Sequence, residues 1–209
     1  MRILLKILLL AAIATLTYMC VQSILTPIDF EKQQKVREKA ISERLIAIRN
    51  AQNGYRNIHR VYAGSFAELQ KFLNEEKIPF LIKEGELTDD QLKAGMTERE
   101  AVAKGIIKRD TNWVLAKDTL LDRGYNVASI GKVPGFENHD FLLDTATLTS
   151  PSGYTVPVFE AAVPFDIYLG DLDRQQLINL KDKTLKLSRY TGLRVGSVTE
   201  INNNAGNWE

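Results

Sequence analysis

ILLLAAIATLTYMCVQSIL (residues 7–25) runs directly into TPIDFEKQQKVREKAISERLIAIRNAQNGYRNIHRVY (residues 26–62), and the reading of these adjoining stretches decides the fold. The first holds no charged residue, and about 20 such residues rise about 30 Å as a helix, the thickness of a hydrocarbon core. Arg2 and Lys6 stand at its mouth, where their side chains reach headgroups. The expectation is one retained transmembrane helix, with residues 1–25 as anchor and the rest of the chain beside the bilayer.

A cleaved signal peptide is the competing reading, with Arg2 and Lys6 as its basic region and residues 7–19 as its apolar region. Ala12 and Ala14 come too early for its cleavage site, and Val21 with Ser23 fit one poorly. Thr17, Tyr18 and Met19 are the wrong residues to precede a lipidated Cys20. Orientation is balanced. Lys32, Lys35, Arg37, Lys39 and Arg44 follow the run, and counted literally they favour a cytoplasmic head. Arg2 and Lys6 abut the apolar run directly, as in a signal anchor whose head is exported.

Thr26 is a good N-cap, and Pro27 is tolerated at a first helical position, so a helix is expected over 26–62. Ile41, Leu45, Ile48, Tyr55 and Tyr62 recur at spacings of four and three, with Gln52 and His59 filling the pattern. These five are the candidate helix-packing or interface residues. Packing on the rest of the head is the default. A seam against another copy or another protein uses the same spacing but has too few clean heptads to be a coiled-coil signature.

Between Glu31 and Arg60 there are eight basic and three acidic residues, and the whole chain has a net charge of +1, so the N-terminal part is basic and the remainder acidic. A basic helix beside a membrane attracts anionic headgroups, which makes membrane lipid an expected partner. Nucleic acid is not expected, because aromatics that would stack on bases are not regularly interleaved with these charges.

The remainder, residues 63–201, reads as an α+β head of helices followed by a mostly antiparallel sheet. Ser65 with Glu68 caps a helix carrying Phe66, Leu69, Phe72 and Leu73. A short strand follows over 79–82. Thr88 with Gln91, and Thr97 with Glu100, predict two short helices between Asp89 and Lys104. Strands are expected at 106–108 and 113–117. The turn Ser150-Pro151-Ser152-Gly153 joins strands 141–149 and 154–160, the second an edge strand because of Pro157. A strand over 165–169, a helix over 172–188 capped by Asp171 and a strand over 193–199 complete the head. Residues 202–209 form a loose or docking tail.

The chain offers little chemistry. Cys20 is the single cysteine and lies in the apolar run, so the head has no thiol. His59 and His139 are far apart, and Glu137-Asn138-His139-Asp140 falls short of three or four convergent ligands, reading instead as a polar loop. Gly124 to Lys132 has the wrong spacing for a phosphate loop, and Asp171-Leu172-Asp173 lacks the glycine and closing Glu of a calcium loop. No serine sits in a nucleophile elbow. Paired acids set by folding stay open. Trp113 is expected to be buried, and Trp208 is a second candidate contact anchor. No catalytic residue, metal site or cofactor is expected.

The order of apolar helix, nearby proline, long amphipathic continuation and sheet resembles type IV pilins and type II secretion pseudopilins. The passage AQNGYRNIHRVYAGSFAEL (residues 51–69) is similar to the point where such proteins leave their long helix. The resemblance covers the first third and implies an inner-membrane, single-pass protein with a periplasmic, pilin-like head. It further implies a secretion-like or surface-assembly complex, with protein partners or self-association through the long helix. The N-terminus MRILLKILLL lacks the Gly and fifth-position Glu of the prepilin signal, so prepilin processing is not carried over. The C-terminal part, from Val156 to Glu209, is similar to uncharacterised membrane-anchored proteins of Bacteroidota, which implies an envelope setting. A membrane-tethered sensor or small-ligand-binding domain is the alternative function.

Overall fold

The computed structural model describes residues 2–88, 91, 93, 95–151 and 153–209. The chain divides into two compact units, one of residues up to Arg49 with Ile130–Glu209, the other Asn50–Ser129. The class is α+β, with a long N-terminal helix and small antiparallel sheets.

Helix α1, Arg2–His59, gives its residues through Arg49 to the first unit and the rest to the second. The expected start at Thr26 and Pro27 is corrected, because Pro27 lies inside the helix. A proline there removes only the hydrogen bond to the Ser23 carbonyl, and the turns on either side carry the helix through. The helix stops at His59, short of Tyr62, where Arg60 takes a left-handed φ of 66° while its N–H still bonds the Arg56 carbonyl at 2.9 Å.

In the first unit α1 packs Phe30, Ile41, Leu45 and Ile48 into a core shared with Phe159, Val163, Tyr168, Leu169 and Val195. A three-stranded antiparallel sheet has the order β5 (Leu142–Thr149), β6 (Thr155–Pro164), β7 (Gly192–Gly196). A second pair joins β3 (Lys132–Val133) to β4 (Phe136–Asp140). β6 is therefore central, not an edge. It tolerates Pro157 because β7 pairs only with residues 160–164, leaving β6 a single neighbour where Pro157 faces Thr147. Ser152, in the expected β5–β6 turn, lies outside the described residues.

β7 lies close against β6 because its ends are glycine. A Cβ on Gly192 would come within 2.2 Å of the Val163 carbonyl oxygen, and one on Gly196, at φ +73°, within 2.1 Å of that of Phe159. The tail docks rather than hanging free. Val195 bridges Gly206, Asn207 bonds Arg194 and Gly192, and Arg49 pairs with Glu209 at 2.7 Å. Asn203 and Asn204 supply left-handed turns at φ 55° and 59°, which asparagine adopts readily.

The expected strand over 165–169 is corrected to a short helix, α5 (Phe165–Leu169). Helix α6 is Arg174–Lys186, and its N-cap is Asp173, not Asp171. The Asp173 carboxylate accepts from the Gln176 N–H at 2.9 Å.

The second unit holds the end of α1, α2 (Phe66–Glu75), α3 (Glu98–Ala103) and α4 (Ala116–Leu120). It also holds a ribbon of β1 (Lys77–Glu84) antiparallel to β2 (Lys108–Leu115). The two strands expected at 106–108 and 113–117 are thus one strand and the start of α4. α2 buries Leu69, Phe72 and Leu73. The Ser65 hydroxyl accepts from the Glu68 N–H at 3.3 Å, but the Glu68 carboxylate turns to Gly64 N–H and Tyr55 instead of closing a capping box. The Thr97–Glu100 box closes in both directions ahead of α3. The helix expected before it falls largely on Asp89, Asp90, Leu92 and Ala94, outside the described residues. Trp113 is corrected from buried to 60% exposed. It stands on a two-stranded ribbon opposite Pro79, where few neighbours cover it.

Candidate functional site

The first half of α1 has the length and composition to cross a membrane, with a mean hydropathy of 2.0 over its most apolar 18 residues and none of that window buried. A signal sequence has the same properties. Its polar side chains are largely satisfied within the helix. Thr15 and Thr17 hydroxyls donate to the Ala11 and Ile13 carbonyls, each at 2.9 Å, and Gln22 donates to the Tyr18 hydroxyl at 3.1 Å. Such back-bonding lowers the cost of placing hydroxyls and amides in hydrocarbon.

Beyond this half, a polar cluster of the first unit forms where α1 meets the α5–α6 corner. The Arg37 guanidinium grips both Asp171 oxygens, at 2.5 and 2.8 Å, and donates to the Tyr168 carbonyl at 2.6 Å. It also lies 5.2 Å from the Phe136 ring centroid. This hydrogen bonding holds the Asp171 carboxyl below its ordinary range and raises Arg37 further. The next residue, Glu38, accepts from Gln34 at 2.8 Å and from the buried Tyr168 hydroxyl at 3.3 Å. Burial, with the nearby Glu38 charge, pushes the Tyr168 phenol far up. A bidentate Arg–carboxylate pair fixes orientation as well as distance, so the cluster orients α1 against α5 and α6.

An open cleft of about 340 Å³ lies between α1 and the first turn of α6. It is lined by Tyr18, Met19, Gln22, Ser23, Thr26 and Pro27 on one side and Asp173, Gln175 and Gln176 on the other. Farther along, Pro27, Phe30 and Gln34 face Gln176, Leu180 and Lys183 across about 180 Å³.

In the second unit the Gln52 amide is fully buried and clasps Ala63 both ways, donating to its carbonyl at 3.0 Å and accepting from its N–H at 2.9 Å. His59 stacks on Tyr55 with ring centroids 4.3 Å apart, and its Nε2 lies 3.0 Å from Glu76. The Tyr55 hydroxyl donates to Glu68, and burial together with that bond pushes its pKa up to about 12. Here a histidine meets one carboxylate, and among the described residues no group of three or more His, Cys, Asp or Glu is placed to hold a metal ion.

All five stripe residues are buried, Ile41, Leu45 and Ile48 in the first unit and Tyr55 and Tyr62 in the second. Glu137 to Asp140 lie on strand β4, not in a loop, and Asp140 pairs with Lys132 at 2.8 Å. The Arg37–Asp171 clamp and the α1–α6 cleft went unread in the sequence. The clamp's partners are 134 residues apart, and no local spacing records such a pair.

Comparison with known proteins yields no matching family model, no matching curated protein and no matching solved structure.

Proposed function

We propose that this chain is a non-enzymatic, single-pass envelope protein whose head takes part in a secretion-like or surface-assembly complex, in the manner of a pseudopilin. The observation that carries the reading is the division of labour along α1. Residues 7–25 are all exposed and mostly apolar, whereas Ile41, Leu45 and Ile48 farther along the same helix are fully buried. An exposed apolar face this large is unstable in water and needs lipid or other apolar helices. Buried stripe residues hold the helix to the folded part of the chain. A head clamped to a helix that enters the membrane suits the transmission or assembly of parts more than turnover of a small molecule.

In this reading the helix is retained in the inner membrane and the head is periplasmic. The test is cross-linking in intact cells followed by native mass measurement in mild detergent, with an alkaline phosphatase fused at the C-terminus. An active fusion and a complex heavier than one chain with its detergent are expected. A lone protomer with no cross-linked partner, or a full-length fusion whose phosphatase is inactive, contradicts the proposal.

A further inference from the structure

The α1–α6 cleft bears on how deep the chain sits. Tyr18, Met19 and Gln22 belong to the last turns of the uncharged run, yet Asp173, Gln175 and Gln176 of α6 line the same cleft. If hydrocarbon extended to Leu25, the Asp173 carboxylate and the two amides would lie at hydrocarbon depth. Ionised carboxylates are strongly disfavoured there. The Asp173 carboxylate is engaged in capping α6, and neutralising it would weaken that cap.

We infer that the first turn of α6 and the α1 turns facing it form a surface that seats in the phospholipid headgroup layer, which sets the polar boundary of the bilayer at Tyr18–Gln22. The inference rests on the reading of α1 as a membrane-spanning helix. The span then shifts toward the N-terminus. From Ile3 to Tyr18 is about 23 Å of helix, a few Å short of an average hydrocarbon core, a mismatch that local thinning of the bilayer absorbs. Lys6 falls one turn inside the far boundary, and its exposed side chain reaches headgroups by snorkelling. Tyr18 lies 64% exposed at the depth where interfacial tyrosines concentrate. Its hydroxyl is already held by Gln22. The occupant of the cleft is accordingly a lipid headgroup with its glycerol backbone, meeting a wall that mixes apolar and polar side chains on α1 (Met19 and Pro27 beside Gln22, Ser23 and Thr26) and is polar on α6.

The test uses the full chain with Cys20→Ser, reconstituted in vesicles of phosphatidylcholine and phosphatidylglycerol. A single bimane-labelled cysteine replaces Ile13, Gln175 or Tyr154 in turn. Tyr154 is 74% exposed and precedes β6, whose length places it about 30 Å of strand from Pro164 and the α5–α6 corner. Headgroup-nitroxide lipid is expected to quench the label at Gln175 several-fold more strongly than at Tyr154, while chain-nitroxide lipid quenches Ile13. Quenching at Gln175 no stronger than at Tyr154, with Ile13 still quenched by chain labels, overturns the inference and leaves the membrane reading standing. An unquenched Ile13 overturns both.

Discussion

Gln52 shows how much one side chain can decide. Both ends of its amide are consumed by Ala63, so the turn leaving α1 is held by a fully buried polar group. Replacing it by Leu leaves a backbone N–H and a carbonyl buried without partners, at a cost of about 2–4 kcal/mol. Urea denaturation of Gln52→Leu should show that loss at an unchanged m-value; a midpoint equal to that of the parent protein would remove the clasp from the account. In the sequence Gln52 was legible only as a gap in an apolar stripe. Position told that it faces inward. What an inward amide bonds depends on the chain beyond the helix, which spacing within the helix does not describe.

At the scale of elements, α1 was the most legible part because 3.6-residue periodicity is local. The prediction follows the stripe. Leu45→Ala, at a fully buried position, should cost about 2–5 kcal/mol. Val36→Ala, 67% exposed on the same helix, should fall within about 0.5 kcal/mol. Equal effects in thermal unfolding would show that the helix packs by another face. Short elements were less legible. Phe165-Asp166-Ile167-Tyr168-Leu169 carries too few residues to separate a period of two from one of 3.6, and Pro164 fits a strand end as well as the extended N-cap it is. Likewise Asp171 and Asp173 are equal capping candidates in the sequence. Arg37 takes the first, leaving α6 to the second.

The Arg37–Asp171 clamp is an element-scale contact with a pH signature. The Asp171 carboxyl is held below its ordinary range, chiefly by hydrogen bonding to Arg37. The clamp's contribution is therefore present above the ordinary carboxylate pKa of about 4 and is lost as pH falls through the lowered folded value. With the Asp171 side chain 54% exposed, solvent screening limits that contribution to about 1 kcal/mol or less. Asp171→Asn should lower stability by that amount at pH 7 and leave it unchanged near pH 2, measured by denaturant midpoints across the range. An equal loss at both pH values would indicate a packing effect instead.

For the whole molecule, composition and the uncharged run carried the main inference, and the α+β class followed from helix caps ahead of strand-like segments. The division into two units was not legible, because residues 50–129 enter the fold as an insertion whose boundaries fall at Asn50, inside α1, and at Ser129. No composition change marks either point. The polarity of charge was legible and fits a basic helix beside anionic headgroups. What covers the exposed half of α1 is the central question, since the proposed function and the depth of the head both depend on a retained span.

Intact mass of the protein that resists carbonate extraction from membranes tests that claim most directly. Expressed as this 209-residue chain, the protein should be recovered in the membrane pellet at 23.6 kDa, with residues 1–25 still attached. A soluble species shortened to about Ser23, with no full-length chain left in the membrane pellet, would contradict it.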